Sequence, residues 1–110
     1  MSQKSIDLAN ANLEPGDKTQ YVFDVQHNGK CGLVVLSRKK IQFVEEHGFI
    51  NKTANLIFND NYKDIGKVEV KGNQVTIKNN NGSTYTLKTE NREASDSLGT
   101  KLQDLLNQST

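Results

Sequence analysis

The chain is poor in the residues that most often form crosslinks or carry chemistry. It has no tryptophan, one cysteine, one proline and two histidines in 110 residues. The single cysteine, Cys31, excludes a disulfide within the chain, and we expect its side chain to be buried because free cysteines usually are. No segment approaches the roughly 20 apolar residues of a membrane-spanning helix, and the N-terminus lacks the apolar core of a signal peptide. The sequence therefore predicts a soluble, cytoplasmic protein.

Excess charge of either sign is also missing. Lysine and arginine total 14 against 13 acidic residues, for a net charge of +1. A general nucleic-acid-binding domain usually carries a strong basic excess, so we expect no nucleic-acid partner. His27 and His47 are predicted to be surface residues, because no cysteine or carboxylate stands at metal-ligand spacing beside them. With no paired carboxylates and no phosphate-binding glycine loop, we expect no catalytic residues, no metal site and no cofactor.

What the chain does contain is a succession of short segments in which apolar and polar residues alternate. A period of two is typical of strands with one buried face. We predict seven strands, at residues 21–25, 32–36, 41–46, 55–58, 64–70, 75–78 and 84–88. The dipeptides Asn28-Gly29 and Asn81-Gly82 mark hairpin turns, because both residue types tolerate positive φ. The second strand, GLVVL, is apolar throughout, which predicts burial on both faces.

Two amphipathic segments flank the strands. The closing one has apolar residues at i, i+4, i+8, i+11 and i+12, a single stripe of a 3.6-period helix. Its members are Ala94, Leu98, Leu102, Leu105 and Leu106. We predict a helix over residues 91–108, capped by Thr89 or Asn91. A shorter helix is predicted over residues 5–13, where Ile6, Ala9 and Leu13 share a face and Pro15-Gly16 ends the pattern.

These patterns together predict a mainly β fold, all-β with terminal helices. The architecture we expect is a seven-stranded, bent antiparallel barrel capped by the C-terminal helix, with the short N-terminal helix packed outside. A terminal helix with a leucine stripe covers the open end and the edge strands that so small a sheet leaves. We divide the chain into an N-terminal helical extension, residues 1–12, and one domain, residues 13–108.

Three segments match a known order of strand and turn motifs. Residues 13–17 read LEPGD, near the opening L-x-x-G-E; residues 32–44 read GLVVLSRKKIQFV, near the hairpin G-x-L-v-l-T-n-k-R-l-l-F; and residues 62–68 read YKDIGKV, near i-p-y-s-d-I-x-s-V. Over residues 13–106 the chain thus resembles the bacterial PH-like (pleckstrin-homology-like) domain family. Ser37 stands where that family has threonine, and Lys40 where it has arginine. The resemblance implies a seven-strand-plus-helix fold that binds lipids, peptides or proteins.

A basic run supplies one candidate binding site. Arg38, Lys39 and Lys40 are adjacent, and we expect Lys30 near the same end of the sheet. Several cations that converge on a phosphate form an anion site, so these four residues are the candidates for weak binding of an anionic membrane or lipid headgroup. The alternative interpretation is a solvated polar turn.

The apolar residues of the least regular segment supply a second candidate. They are Phe49, Ile50, Phe58 and Tyr62. If the core is complete without them, they form an interface; alternatively, they fill the far part of the sheet. We therefore predict a non-enzymatic binding module for a protein partner or for self-association, which docks at a sheet edge or between the helix and the barrel. The alternative function is peripheral binding of anionic lipid through the basic turn.

Overall fold

The computed structural model describes residues 3–48 and 53–109. Its elements are α1 (Gln3–Ala11), β1 (Thr19–His27), β2 (Lys30–Ser37), β3 (Lys40–His47), β4 (Thr53–Asn61), a 3-10 turn (Tyr62–Asp64), β5 (Ile65–Lys71), β6 (Gln74–Asn79), β7 (Thr84–Lys88) and α2 (Arg92–Gln108). The strands form one seven-stranded antiparallel sheet in the order β4-β3-β2-β1-β7-β6-β5. This confirms the mainly β fold with a helix at each end.

The sheet bends sharply between β1 and β7. These two strands are joined by a single residue pair, Gln26 with Lys88, whereas β1 pairs with β2 along its whole length. Phe58 on β4 stacks on Tyr85 of β7 with 4.1 Å between ring centroids, although three strands separate β4 from β7 in the sheet order. The two parts of the sheet therefore face each other like the walls of a barrel.

The interior between these walls is the main core, and α2 closes it. Leu98 and Leu102 on α2 are fully buried and Leu105 is 4 % exposed, as the leucine stripe predicts. The side chain of Asn91 accepts a hydrogen bond from the backbone N–H of Ala94 at 2.8 Å, so Asn91 is the N-cap. The buried residues of this core are Val25, Val34, Leu36, Ile41, Phe43, Phe58, Tyr62, Val75, Ile77, Leu87, Leu98, Leu102 and Leu105.

A second, smaller core lies on the outer face of the sheet, beneath α1. Ala9 of α1 packs with Leu33, Val35 and Val44, which project to the side opposite the main core. Val34 and Leu36, which alternate with these residues along β2, face the main core. The burial of β2 on both faces is thus confirmed, and it explains why its sequence is apolar throughout.

The β1–β2 hairpin has the turn that its sequence predicts. Asn28 has φ 52° and Gly29 has φ 76°, and the strand pairing resumes directly on either side of them, between His27 and Lys30. Two consecutive residues at positive φ match the right-handed twist of the flanking strands. This turn fixes the register of β1 against β2, and with it the face that each side chain occupies.

Strand β4 is longer than the sequence predicts, and β3 extends to His47. Residues that read as a polar loop pair with β3, as Asn61 does with Lys40 and Thr53 with His47. Backbone hydrogen bonds do not depend on side-chain polarity, so the apolar pattern understates the length of an edge strand. A register shift opposite Phe43 leaves Ile57 between two residue pairs, with 40 % of its surface exposed.

Within the described ranges, none of the helices is both long and apolar enough to cross a lipid bilayer. Helix α2 carries charged residues along its exposed face, among them Arg92, Asp96 and Asp104. Its apolar side is occupied by the core that it closes.

Candidate functional site

The last strand of the sheet, β5, borders a groove. Among the described residues β5 pairs only with β6, so its other edge presents unpaired backbone groups. Helix α2 packs against the core-facing side of β5, where Gly99 meets Val70, and the two elements leave an open groove of about 420 Å³. The groove is lined by Val68, Val70, Asp96, Gly99, Thr100, Gln103 and Asp104.

The close approach of α2 to β5 depends on Gly99. A Cβ atom at this position would lie 2.3 Å from Cγ2 of Val70, so any other residue here would displace the Val70 side chain or move the helix away from the strand. Gly99 is fully enclosed, while Val70 keeps 40 % of its surface exposed beside the groove. The floor of the groove is therefore apolar, and Asp96 and Asp104 add carboxylates from the helix side.

The outward face of β5 carries alternating charges. Lys67, Glu69 and Lys71 are exposed and point away from the core, and Nζ of Lys67 lies 2.6 Å from Oε1 of Glu69. The hydrogen bond and the positive charge of Lys67 hold the pKa of Glu69 below its ordinary value, and the pKa of Lys67 is raised in return. Both side chains are more than half exposed, so this pair contributes little to stability.

A second groove, of about 380 Å³, lies at the β2–β3 turn. Its lining is Glu14, Arg38, Lys39, Asn61, Lys63, Gln108 and Ser109. Three of these side chains are cations, and the carboxylate of Glu14 lies 3.6 Å from Nζ of Lys39 in an exposed pair. The net charge of the lining is basic, which is the requirement for an anionic ligand.

Hydrogen bonds to the buried side chain of Asp17 hold the β2–β3 turn in place. The Asp17 carboxylate accepts hydrogen bonds from the backbone N–H groups of Lys18 at 2.8 Å and Arg38 at 2.9 Å, and from the hydroxyl of Ser37 at 2.8 Å. The Pro-Gly turn before it brings Asp17 under the hairpin, since Gly16 has φ 88°. This network holds Arg38 at the rim of the basic groove.

The four predicted basic residues do not come together. Lys30 is the first residue of β2 and Arg38 follows its last, so the two are about 26 Å apart at 3.3 Å per residue, and the prediction that they share one end is wrong. Lys30 forms an ion pair with Glu45 at 3.4 Å. Lys40 is 9 % exposed, and its Nζ donates to the backbone carbonyl of Asn12 at 3.1 Å. Only Arg38 and Lys39 line the basic groove, joined by Lys63, which the sequence analysis missed.

The described members of the predicted apolar interface belong to the core. Phe58 is 7 % exposed and Tyr62 is 2 % exposed, because the bend of the sheet encloses both. The hydroxyl of Tyr62 donates to the backbone carbonyl of Ser37 at 2.7 Å. Phe49 and Ile50 lie outside the described residues. The core-filling alternative therefore holds for Phe58 and Tyr62.

The two histidines occupy different environments. His47 is exposed, as predicted, whereas His27 is 7 % exposed and packs edge-on against Phe43 and Phe58. The prediction of a surface His27 is wrong because the bend of the sheet folds β4 over the end of β1. In residues 3–48 and 53–109, no group of three or more metal-binding side chains is present.

Glu45 is a buried carboxylate between the side chains of His47 and Lys30. Nε2 of His47 lies 2.5 Å from Oε1 of Glu45, and Lys30 approaches the other carboxylate oxygen. Burial opposes ionisation, but the hydrogen bond and charge of His47 and the charge of Lys30 outweigh it, so the pKa of Glu45 lies below its ordinary value. The arrangement stabilises the ends of β2 and β3.

Cys31 is exposed, which contradicts the prediction that it is buried. It stands on the outer face of β2, two residues closer to the β1–β2 turn than Leu33, which α1 covers. The apolar pattern of β2 does not show that α1 covers only part of the strand. Cys31 borders a mixed-charge groove at the β1–β7 junction together with Asp24 and Lys88.

Comparison with known proteins shows a likeness to solved structures. No family model matches the chain, and no curated protein matches it. The chain is similar in structure to the C-terminal domain of an unknown protein from Leishmania infantum, solved by crystallography, with a TM-score of 0.61 and 16 % sequence identity. The match covers 92 % of this chain and 93 % of that one. At this identity the likeness shows the fold alone.

Proposed function

We propose that the protein is a non-enzymatic PH-like binding module that takes up an extended segment of a protein partner along β5. The observation that carries this proposal is the groove between the free edge of β5 and α2. We also propose that the protein is located in the cytoplasm. The sequence predicts docking at a sheet edge or between the helix and the barrel, but it identifies none of the residues that line this groove.

The physical argument starts from the backbone. An extended segment that adds to β5 satisfies the hydrogen-bonding groups that the edge leaves to water, and this main-chain pairing supplies affinity without regard to sequence. Alternate side chains of that segment point to the same face as Val68 and Val70 and enter the groove. The apolar floor favours aliphatic or aromatic side chains, and Asp96 and Asp104 favour a basic residue beside them.

The test is selection of binding peptides from a random displayed library, followed by mapping of the bound peptide by NMR. We expect amide shifts confined to β5 and α2, and slowed hydrogen exchange at β5 amides that exchange freely without peptide. Shifts elsewhere on the fold, or failure to select any peptide, would refute the proposal.

A groove-filling variant sharpens this test. Thr100 is exposed and lines the groove, so Thr100→Trp fills it without entering the core. Glu93→Trp is the matched control, because Glu93 is exposed on the first turn of α2 and is absent from the groove lining. Selected peptides should bind Glu93→Trp like the wild type and lose affinity about tenfold or more for Thr100→Trp, since their side chains lose the groove.

The basic groove supports a second candidate function, binding of an anionic lipid headgroup. The specific observation is that Arg38, Lys39 and Lys63 line one groove, with Glu14 as the sole acidic residue among the lining residues described. Vesicles that contain phosphatidylserine test it. Binding should fall with added salt and should be lost in Arg38→Glu with Lys63→Glu. Binding that survives these substitutions, or none at low salt, would contradict this candidate.

A further inference from the structure

The charge pattern of β5 is self-complementary about the middle of the strand. The strand runs Ile65–Lys71, so Val68 is its central residue, with Lys67 on one side and Glu69 on the other. In an antiparallel pair centred on Val68 the two strands overlap along their length, and the β-bulge between Ile65 and Lys67 confines regular pairing to residues 67–69. Lys67 of each copy then stands directly opposite Glu69 of the other, in two symmetric pairs.

Other registers lack this match. A shift by one residue places the outward charges opposite the groove-facing valines, because side chains alternate between faces. A pairing centred on Glu69 places Glu69 opposite itself and Lys67 opposite Lys71, and like charges in directly opposed positions are destabilising. A pairing centred on Val70 restores opposite charges but leaves only residues 69–71 overlapping within the strand.

The Val68-centred pairing also brings apolar surface to the interface. It places Val70 of one copy near Gly66 of the other, at the β-bulge between Ile65 and Lys67. Val70 is 40 % exposed, so this pairing covers an apolar side chain that the monomer leaves in water. The Lys67–Glu69 contact within each chain is exposed and is readily exchanged for the contact between copies.

From this self-complementarity we infer that the partner taken up along β5 is a second copy of this chain, in a two-fold symmetric dimer with β5 paired antiparallel about Val68. The inference rests on the proposed function of β5 as the docking edge. A two-fold axis at Val68 makes the interface isologous, so that each copy offers the other the same surface and the assembly closes at two. One sheet then continues through both copies.

Charge exchange on β5 tests the inference by sedimentation equilibrium. The wild type should show a monomer–dimer equilibrium based on a 12.3 kDa protomer. Glu69→Lys and Lys67→Glu should each weaken dimerisation about tenfold or more, because both symmetric pairs become repulsive. An equimolar mixture of the two variants should regain the dimer, since lysine at 67 and 69 of one chain then faces glutamate at 69 and 67 of the other.

Lys71→Glu is the matched control for this series. Lys71 is on the same face of the same strand, but in the Val68-centred register it lies beyond the β-bulge of the other copy, where no charged residue stands directly opposite it. This variant should dimerise like the wild type, and equal weakening by Lys71→Glu and Lys67→Glu would overturn the register. All three positions are exposed, so urea unfolding at a protein concentration low enough to keep the wild type monomeric should show unchanged stability in each variant.

The outcomes separate this inference from the proposed function. A wild type that stays monomeric up to millimolar concentration at low salt overturns the second copy as partner. So does a dimer that is insensitive to Glu69→Lys, because it uses another surface. In either case the peptide selection still tests the proposed docking edge. A monomeric protein that binds peptides at β5 would support β5 as the docking edge and would exclude a second copy as its partner.

Discussion

The replacement of Phe58 by alanine distinguishes a core residue from an interface residue. Phe58 is 7 % exposed and its ring lies between those of Tyr85 and Phe43, at 4.1 Å and 5.9 Å between centroids. Because β4 and β7 are not neighbours in the sheet, the contact between Phe58 and Tyr85 holds the two walls of the barrel together. We expect Phe58→Ala to lower the free energy of unfolding substantially.

The magnitude follows from the size of the side chain and from its stacking. Removal of a buried phenylalanine to alanine costs about 3 to 5 kcal/mol. The ring contacts account for about 0.5 to 1.5 kcal/mol of this beyond apolar burial. Phe58→Leu keeps most of the apolar volume and removes the stacking, so its loss should be clearly smaller. Ile57→Ala is the control on the same strand, where 40 % exposure predicts a clearly smaller loss than that of the buried Phe58.

Urea unfolding followed by far-UV circular dichroism measures all three variants. The midpoint should shift while the slope stays constant, since the surface exposed on unfolding hardly changes. A loss below about 1 kcal/mol for Phe58→Ala would refute the reasoning, because it is too small for a buried aromatic side chain. Equal losses for Phe58→Ala and Ile57→Ala would also refute it, and Phe58 would again be a candidate interface residue.

Three further predictions use the same unfolding assay. Leu102→Ala should cost about 2 to 5 kcal/mol because Leu102 is fully buried where α2 closes the core; a cost under about 0.5 kcal/mol would mean that α2 does not plug the barrel. Gly29→Val should destabilise the hairpin by about 1 to 3 kcal/mol, since Gly29 has φ 76°, and an unchanged midpoint would contradict the turn geometry. Burial and the charge of Asp17 raise the pKa of Tyr62 in the folded state, so its contribution to stability is complete below the ordinary tyrosine pKa of about 10 and is lost as the pH rises beyond it. Tyr62→Phe should therefore lose less stability than the wild type between neutral and alkaline pH, and equal losses would argue against a buried Tyr62.

Sequence reasoning succeeded where a local pattern has one physical cause. The leucine stripe of α2 could bury itself in only one orientation, and Leu98, Leu102 and Leu105 are buried as it indicates. The Asn28-Gly29 turn was predictable because few residue pairs tolerate two positive φ values in succession. The ends of the strands were less predictable, because backbone pairing extends into polar segments such as the end of β4.

Most of the candidate site could not be predicted from the sequence. Gly99 lies beside the apolar stripe of α2, and a glycine inside a helix is a signal of a close approach there, but the sequence does not say that Val70 is the neighbour. The prediction that the four basic residues lie at one end of the sheet was wrong for a similar reason. Lys30 and Arg38 are eight positions apart in the chain, and only the straight run of β2 between them shows that they flank opposite ends of a strand.

The sequence by itself determined the period of each element, the turns, and the apolar faces that had to be covered, because these depend on the conformational preferences and hydrophobicity of neighbouring residues. The tertiary structure alone decided which residues met across the fold. The bend between β1 and β7 enclosed His27, Phe58 and Tyr62, left Cys31 in solvent, and placed the free edge of β5 beside α2. Such contacts join residues far apart in the chain, so no local pattern records them.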